Sequence, residues 1–478
     1  FHRAIGLLVI SLVTIIFLVW DWLMERYGDQ AWEKLHFIRD LFTRNWIIYM
    51  LMLLAVVFWL ALNVVQQGIR PLVSFFGLLL FIFLMLLFSK HPFRWCWQTL
   101  LCGIGLQFVF GLLILRTTFG SDALGWLGEQ ATVFTHKHSC CSVVLTFTTF
   151  MKKKIFKMLL LFLTIQNFLY TEFYIILRCW IGYMIEIIMG TSPTESVTAA
   201  GNIFLGQIES TLLIRPYISR LTRSEIHALM TGGFASISGS LMGTFISLGV
   251  EPTHLLTASL MSAPASLAIA KTFWPETETL SINTIRDLKI EKGEIKNILE
   301  AASQGASHAV GLVANIVVNL ISFLALLALF DAILSWLGGM LDCPQLSFTL
   351  ICSYIFMPLS LMMGVSWEDS FIVAELIGIK TFLSELVAYQ KLSELIKRRK
   401  AGGPEYVNNV KQFISVHSET IATYALCGFS NFASLGIIVG ALTTMAPDRQ
   451  SDISSCGLRA LIAGSVSCFM TACIAGDC

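Results

Sequence analysis

Two glutamates stand where a carboxylate is expensive. Glu209 lies beside Gln207 in GNIFLGQIES at 201–210, and Glu385 lies in TFLSELVAY, inside an apolar run from Phe371 to Tyr389. An ionisable side chain at membrane depth costs at least ~2.5 kcal/mol on insertion scales, so it marks a functional site by default. Such carboxylates can work as an acid/base pair or accept hydrogen bonds from ligand hydroxyls. No apolar run carries a His-x-x-x-His pair or a Gly-x-Gly-Asp motif, and no nucleophile sits beside a candidate base. An intramembrane enzyme using Glu209 and Glu385 is therefore the weaker reading and binding the stronger. The same run holds Glu375 and Lys380, whose i to i+5 spacing is poor for an ion pair on one helix face. Glu385 is expected at the site and Glu375 is not.

Glu209 belongs to the first of two segments that interrupt the apolar pattern in the same way. Thr191 to Tyr217 reads TSPTESVTAAGNIFLGQIESTLLIRPY, and Ser418 to Pro447 reads SETIATYALCGFSNFASLGIIVGALTTMAP. Each opens on Ser, Thr and Glu, then gives an apolar arm, a tip of Gly, Asn and Ser, a second arm and a Pro near the exit. Non-helical backbone at membrane depth survives only where protein or a wet cavity satisfies its N–H and C=O groups. Both segments are thus expected to be re-entrant helical hairpins rather than Gly-kinked spans. Half-helix N-termini at such tips offer donors to a ligand, and C-terminal carbonyls offer acceptors to a cation.

The rest of the chain must hold these tips. Of 478 residues, 56% are hydrophobic and 13% charged, against roughly 25% charged in soluble domains, which excludes a soluble enzyme. Lys and Arg number 32 against 31 Asp and Glu, for a net charge of +1, so no basic surplus exists for nucleic acid. A membrane helix needs about 20 apolar residues. Uncharged runs that approach or exceed this are Ala4 to Trp20, Asn45 to Ile69, Pro71 to Ser89, Trp95 to Leu115, Ala228 to Val250, Pro252 to Ala270, Ala301 to Phe330, Cys343 to Trp367 and Ala460 to Gly476. The charged stretches Phe273 to Ala302 and Gln390 to Ser415 read as extramembrane connectors or interfacial helices. Because the chain begins at Phe1 rather than Met, its start is expected to be missing. It stops at Asp477-Cys478 directly after the last span, so any tail is expected to be absent or replaced.

Most of the twelve cysteines sit in apolar runs, without any C-x-x-C pair, as small buried hydrophobes. The group His136, His138, Cys140 and Cys141 lacks a second ligand pair at zinc-site spacing. It opens an atypical stretch, 136–178, rich in Lys, Phe and Thr. This reads either as a short span with a basic flank or as a gene-model or splice artefact. The chain accordingly divides into N-terminal scaffold helices at 1–135, the atypical segment, and a core at 179–478 with hairpins near 191–217 and 418–447.

Several long blocks resemble the concentrative nucleoside transporter family, closest to its broad-selectivity vertebrate-type members. They are GNIFLGQIES at 201–210 with LLIRPY after it, LLTASLMSAPASLA at 255–268, SYIFMPLSLMMGVSWEDS at 353–370, TYALCGFSNFASLGI at 423–437 and RALIAGSVSCFMTACIAG at 459–476. The resemblance covers the chain outside about 136–178. It implies an all-α polytopic membrane transporter of elevator type, a homotrimer in the lipid bilayer of the plasma membrane, coupling sodium to nucleosides. It further implies base contacts from Gly206, Gln207 and Glu209, an apolar contact from Leu241, and a base contact from Phe429. Asn431, Ser434 and Glu385 fall on ribose-binding positions. Asn202, Leu205, Ser236 and Ile237 fall on the sodium site, and Cys468 matches a cysteine linked to proton coupling. No organic cofactor is implied.

The residue types agree with that map. A nucleoside is neutral, so its selection rests on hydrogen bonds: ribose hydroxyls want a carboxylate acceptor, and base edges want amides that donate and accept. Sodium wants oxygen ligands, which Asn202 and Ser236 can supply. Ile208 stands where the family usually has Thr, removing a hydroxyl near the base, and Ser384 and Leu386 flank Glu385 where the family has Asn and Phe. The Gly206-Gln207 pair resembles members that accept both purines and pyrimidines. A non-transporting variant, disabled by the altered 136–178 segment, is the alternative.

Overall fold

A computed structural model of the chain describes residues 70–117 except 95, 173–282, 328–340 and 347–477 except 403, 408 and 409, with a few isolated positions between. The runs Ala4 to Trp20 and Asn45 to Ile69, the group His136 to Cys141 and most of 136–178 and Ala301 to Phe330 lie outside the described residues.

Two helices, α1 (Arg70–Leu87) and α2 (Trp97–Leu115), come from the third and fourth apolar runs, and α3 is Phe173–Met189. The first interrupted segment folds as α4 (Pro193–Asn202) and α5 (Gln207–Leu212), followed by a short 3-10 turn at Arg215–Arg220. Next come α6 (Arg223–Ala235), α7 (Gly239–Leu248) and α8 (Pro252–Phe273). Beyond residue 347 lie α9 (Phe348–Met362), α10 (Trp367–Phe382) and α11 (Glu385–Lys400). The second segment gives α12 (Val416–Leu426) and α13 (Phe432–Met445), and α14 (Gln450–Asp477) closes the described chain. The expectation of an all-α chain needs one small amendment. After α11 a tight turn pairs Tyr406–Val407 with Val410–Lys411 as an antiparallel hairpin, and the Lys411 ammonium ties it to Asp369 Oδ1 at 2.8 Å.

Among the described residues, Trp97–Leu115, Pro252–Phe273 and Pro447–Gly476 are long and apolar enough to cross a membrane, while α9 and α10 meet at 119°. Two runs that read as single spans are broken. Ala228 to Val250 divides at Ser236–Ser238, and Phe371 to Tyr389 divides at Leu383–Ser384. In both a serine restarts the helix. Ser238 accepts from the Leu241 N–H, and Ser384 from the Val387 N–H, each satisfying a donor that a helix start leaves open. Asn431 does the same for α13, accepting from the Ser434 N–H. α4 and α6 open instead on reciprocal capping boxes, Ser192 with Glu195 and Thr222 with Glu225.

The broken helices are held by a buried apolar core. Phe245 of α7 stacks on Tyr389 of α11 with ring centroids 4.3 Å apart, and Phe81 of α1 meets Phe469 of α14 at 5.8 Å. A second apolar group, including Leu205, Met230, Phe234, Ile438 and Leu442, packs α6, the first hairpin and the second arm of the other together.

Candidate functional site

Four helix breaks meet in the interior: 203–206, 236–238, 383–384 and 427–431. Backbone hydrogen bonds tie them. The Gly239 N–H donates to the Phe204 carbonyl at 3.0 Å, joining the α6/α7 break to the first hairpin, and the Phe429 N–H donates to the Ser236 carbonyl at 3.2 Å, joining it to the second. The fourth break is linked by side chains, where Asn431 Nδ2 donates to Glu385 Oε2 at 2.7 Å. The unpaired backbone groups of interrupted helices are thus partly spent on each other, as buried backbone requires. Gly428 makes this approach feasible. Its φ is +98°, and an added Cβ would lie 2.6 Å from the Phe234 carbonyl oxygen and 2.8 Å from that of Ala235.

Both glutamates stand in the first turn of the half-helix that follows a break, Glu209 in α5 and Glu385 in α11, where the helix dipole favours negative charge. Gly206 opens α5 without a side-chain cap. The Glu209 carboxylate folds back over it, so closely that a Cβ on Gly206 would lie 2.3 Å from Glu209 Oε2 and 3.2 Å from the Ser238 Cβ. Gln207 is buried with its Oε1 unpartnered by protein, and its Cβ packs on Gly233. Leu241 lies in the first turn of α7, next to the Ser238 cap, and Phe429 lies at the second tip; each is 9% exposed, so both retain a little open surface. The Ser434 N–H donates to Asn431 Oδ1 at 2.7 Å.

The residues expected to take sodium cluster at the first two breaks. Asn202 ends α4, is 1% exposed and keeps Oδ1 without a protein partner, an orphaned acceptor of the kind a hard cation satisfies. Its Nδ2 lies against Gly232, where a Cβ would come within 2.7 Å. Ser236 ends α6, donates through Oγ to the Gly232 carbonyl at 3.0 Å and is equally buried. Leu205 and Ile237 are fully buried in the neighbouring breaks. Oxygen donors of this kind suit sodium. Cys468 of α14 sits between the 236–238 and 427–431 breaks, its thiol donating to the Cys427 carbonyl at 2.7 Å and lying 3.7 Å from that of Ala235.

Some neighbours escaped the sequence. Lys380 does not pair with Glu375. It donates to the Ala425 and Cys427 carbonyls, each at 2.9 Å, while Glu375 pairs with Lys391. The Tyr389 hydroxyl donates to the Thr423 carbonyl at 2.7 Å. At the outer ends of α4 and α6, Lys271 Nζ meets Glu195 Oε1 at 2.5 Å and Glu276 Oε2 at 3.1 Å, while Thr194 bonds Glu225 at 2.8 Å. The signal that could have found Glu195 and Lys271 is the same that found Glu385, a charge flanked by apolar sequence; for Lys380 the position was visible and the partners were not.

Comparison with known proteins agrees with this arrangement. Residues 254–476 match the family model described as Na+ dependent nucleoside transporter C-terminus, 76–137 match its N-terminus, and 153–251 match a Gate model described as nucleoside recognition. Solute carrier family 28 member 3 of Rattus norvegicus is 53% identical over 490 residues, covering 100% of this chain and 69% of the relative. Sodium/nucleoside cotransporter 1 of Mus musculus is 43% identical over 487 residues, covering 100% of this chain and 74% of its own length. Among solved structures, CNTnw in an inward-facing substrate-bound state superposes with a TM-score of 0.75 at 30% identity, covering 85% of this chain and 97% of that one. The relatives are transporters, not enzymes, and a chain this similar along its whole length belongs to the Na+-dependent, concentrative nucleoside transporter family.

Proposed function

We propose that this chain is a sodium-coupled symporter that carries purine and pyrimidine nucleosides across the plasma membrane by alternating access. The observation that carries the reading is the meeting of four helix breaks around Glu385, Asn431 and Gln207, with the unpartnered Asn202 Oδ1 at the adjoining break. Glu385 and Asn431 accept from and donate to the ribose hydroxyls, assisted by Ser434. Gln207, with Gly206 and Glu209, reads the base edge, while Leu241 and Phe429 cover its faces. Asn202 and Ser236 side-chain oxygens, with the Leu205 and Ile237 carbonyls, take sodium. Sodium binding fixes the α4/α5 and α6/α7 breaks, which hold Gln207, and this is how ion and nucleoside become coupled.

The two broken hairpins are re-entrant, and the transport core moves against the scaffold in an elevator-like step, three copies together forming the working assembly. Cys468 links proton uptake to that step, a reading supported by its thiol lying between the Cys427 and Ala235 carbonyls. Two cations crossing 100 mV supply roughly 4.6 kcal/mol, enough for about thousandfold accumulation. Radiolabelled uridine and adenosine uptake by cells expressing the chain, with sodium replaced by choline, tests the reading. Uptake of both that falls to background in choline is expected, and equal uptake in the two media would overturn it.

A further inference from the structure

The C-terminal carbonyls of α12 are accounted for by an unusual set of donors. Thr423 accepts from the Tyr389 hydroxyl, Tyr424 from the Cys427 N–H, and Cys427 from the Cys468 thiol. These are neutral groups. The Ala425 carbonyl, and the Cys427 carbonyl a second time, accept from the Lys380 ammonium. Lys380 is 1% exposed, and a buried ammonium carries a desolvation penalty that hydrogen bonds to carbonyls only partly offset. Neutral donors serve the rest of this helix end, so capping alone does not explain a charge here. Its natural sequence neighbour is not its partner either, because Glu375 is taken by Lys391, and Glu385, which attracts it electrostatically, bonds Asn431 instead. A positive charge at a helix C-terminus does complement the dipole.

The first hairpin shows the contrasting case. At the end of α4 the Ile203 carbonyl accepts from the Ser259 hydroxyl and the Phe204 carbonyl from the Gly239 N–H, while Asn202 Oδ1 takes no protein partner. Among the described residues no ammonium or guanidinium bonds Asn202 Oδ1. Two hairpins built alike therefore end their first arms differently, one beside the unpartnered Asn202 Oδ1 and the other on a lysine.

We propose that Lys380 is a tethered cation, holding at the second hairpin the position that a free cation takes at the first, so that removing its side chain opens this break to a small external cation. The parallel rests on the sodium reading of the first hairpin given above. The charge sits on carbonyls from one hairpin and is carried by α10, so it fastens the two elements without consuming an ion from solution.

The test is thermal unfolding of the purified full chain, and of Lys380→Ala and Lys380→Met, in choline chloride with and without methylammonium. Methylammonium carries the ammonium that Ala lacks, whereas the Met side chain fills the room. Lys380→Ala should gain about 3 °C or more from the amine, with neither the unaltered chain nor Lys380→Met gaining as much. Equal responses in all three would overturn the proposal. If Lys380→Ala accumulates too poorly to melt, the comparison is made on its folded yield from membranes solubilised with and without the amine, where equal yields overturn it. Sodium-dependent uptake by the unaltered chain, measured beside these, separates failure of this inference from failure of the symporter reading.

Discussion

Asn431 donates through Nδ2 to Glu385 Oε2 at 2.7 Å while its own Oδ1 accepts from the Ser434 N–H at 2.7 Å. One side chain therefore caps α13 and aims a carboxylate that begins α11. Moving the hairpin tip moves the carboxylate with it.

Glu385→Gln keeps the shape and removes the charge. Hydrogen bonds to a charged group are worth about 1.5–3 kcal/mol, so uridine uptake at limiting concentration should fall roughly 10- to 100-fold. The proposed ribose role adds a sharper expectation. The preference for uridine over 3′-deoxyuridine should shrink in the variant, while the ratio of uridine to adenosine uptake stays within about twofold. Competition uptake with the deoxy analogue reads both.

Gly428 is held at φ +98° with the Phe234 and Ala235 carbonyls under 3 Å from where a Cβ would stand. Gly428→Ala must either clash or withdraw the tip from α6, losing the Phe429 N–H bond to Ser236. Left-handed backbone alone costs about 1–2 kcal/mol for a residue with a Cβ. Surface-expressed Gly428→Ala is expected to lose at least tenfold in uptake, and Gly436→Ala, which meets nothing within 4 Å, serves as the comparison with uptake near that of the unaltered chain.

Lys271 stands between the Glu195 and Glu276 carboxylates with Ser224 as a further partner at 2.9 Å. Lys271→Met leaves Glu195 buried without its counter-charge, a change that typically costs about 3–5 kcal/mol. The melting temperature of purified protein should drop by several degrees, and Glu195→Gln with Lys271→Met should recover most of the loss. A double variant no better than the single would show that the charge imbalance is not the cause.

What the sequence revealed, and what it hid, follows from where the signals lie. The helix breaks at 203–206 and 427–431, and the burial of Glu385, were legible because polar residues inside apolar runs are expensive and stand out one by one. The breaks at Ser236–Ser238 and Leu383–Ser384 were not, because no Pro or Gly marks the second and both runs are apolar enough to continue as helices. They are broken by tertiary contacts, chiefly the Phe429 N–H on the Ser236 carbonyl and Asn431 on Glu385, whose partners lie far along the chain. Lys380 illustrates the same limit. Its position was visible, but its acceptors are backbone carbonyls 45 and 47 residues later, and carbonyls leave no trace in a residue alphabet.

Under the proposed function, sodium at Asn202 prepares the nucleoside site. Uridine affinity of the purified chain, measured by calorimetry in sodium and in choline for the unaltered chain and for Asn202→Ala, tests it most directly. Sodium should tighten binding about tenfold or more in the unaltered chain, and Asn202→Ala should bind uridine with its sodium-free affinity in both media. An Asn202→Ala protein that keeps the full sodium enhancement would contradict it.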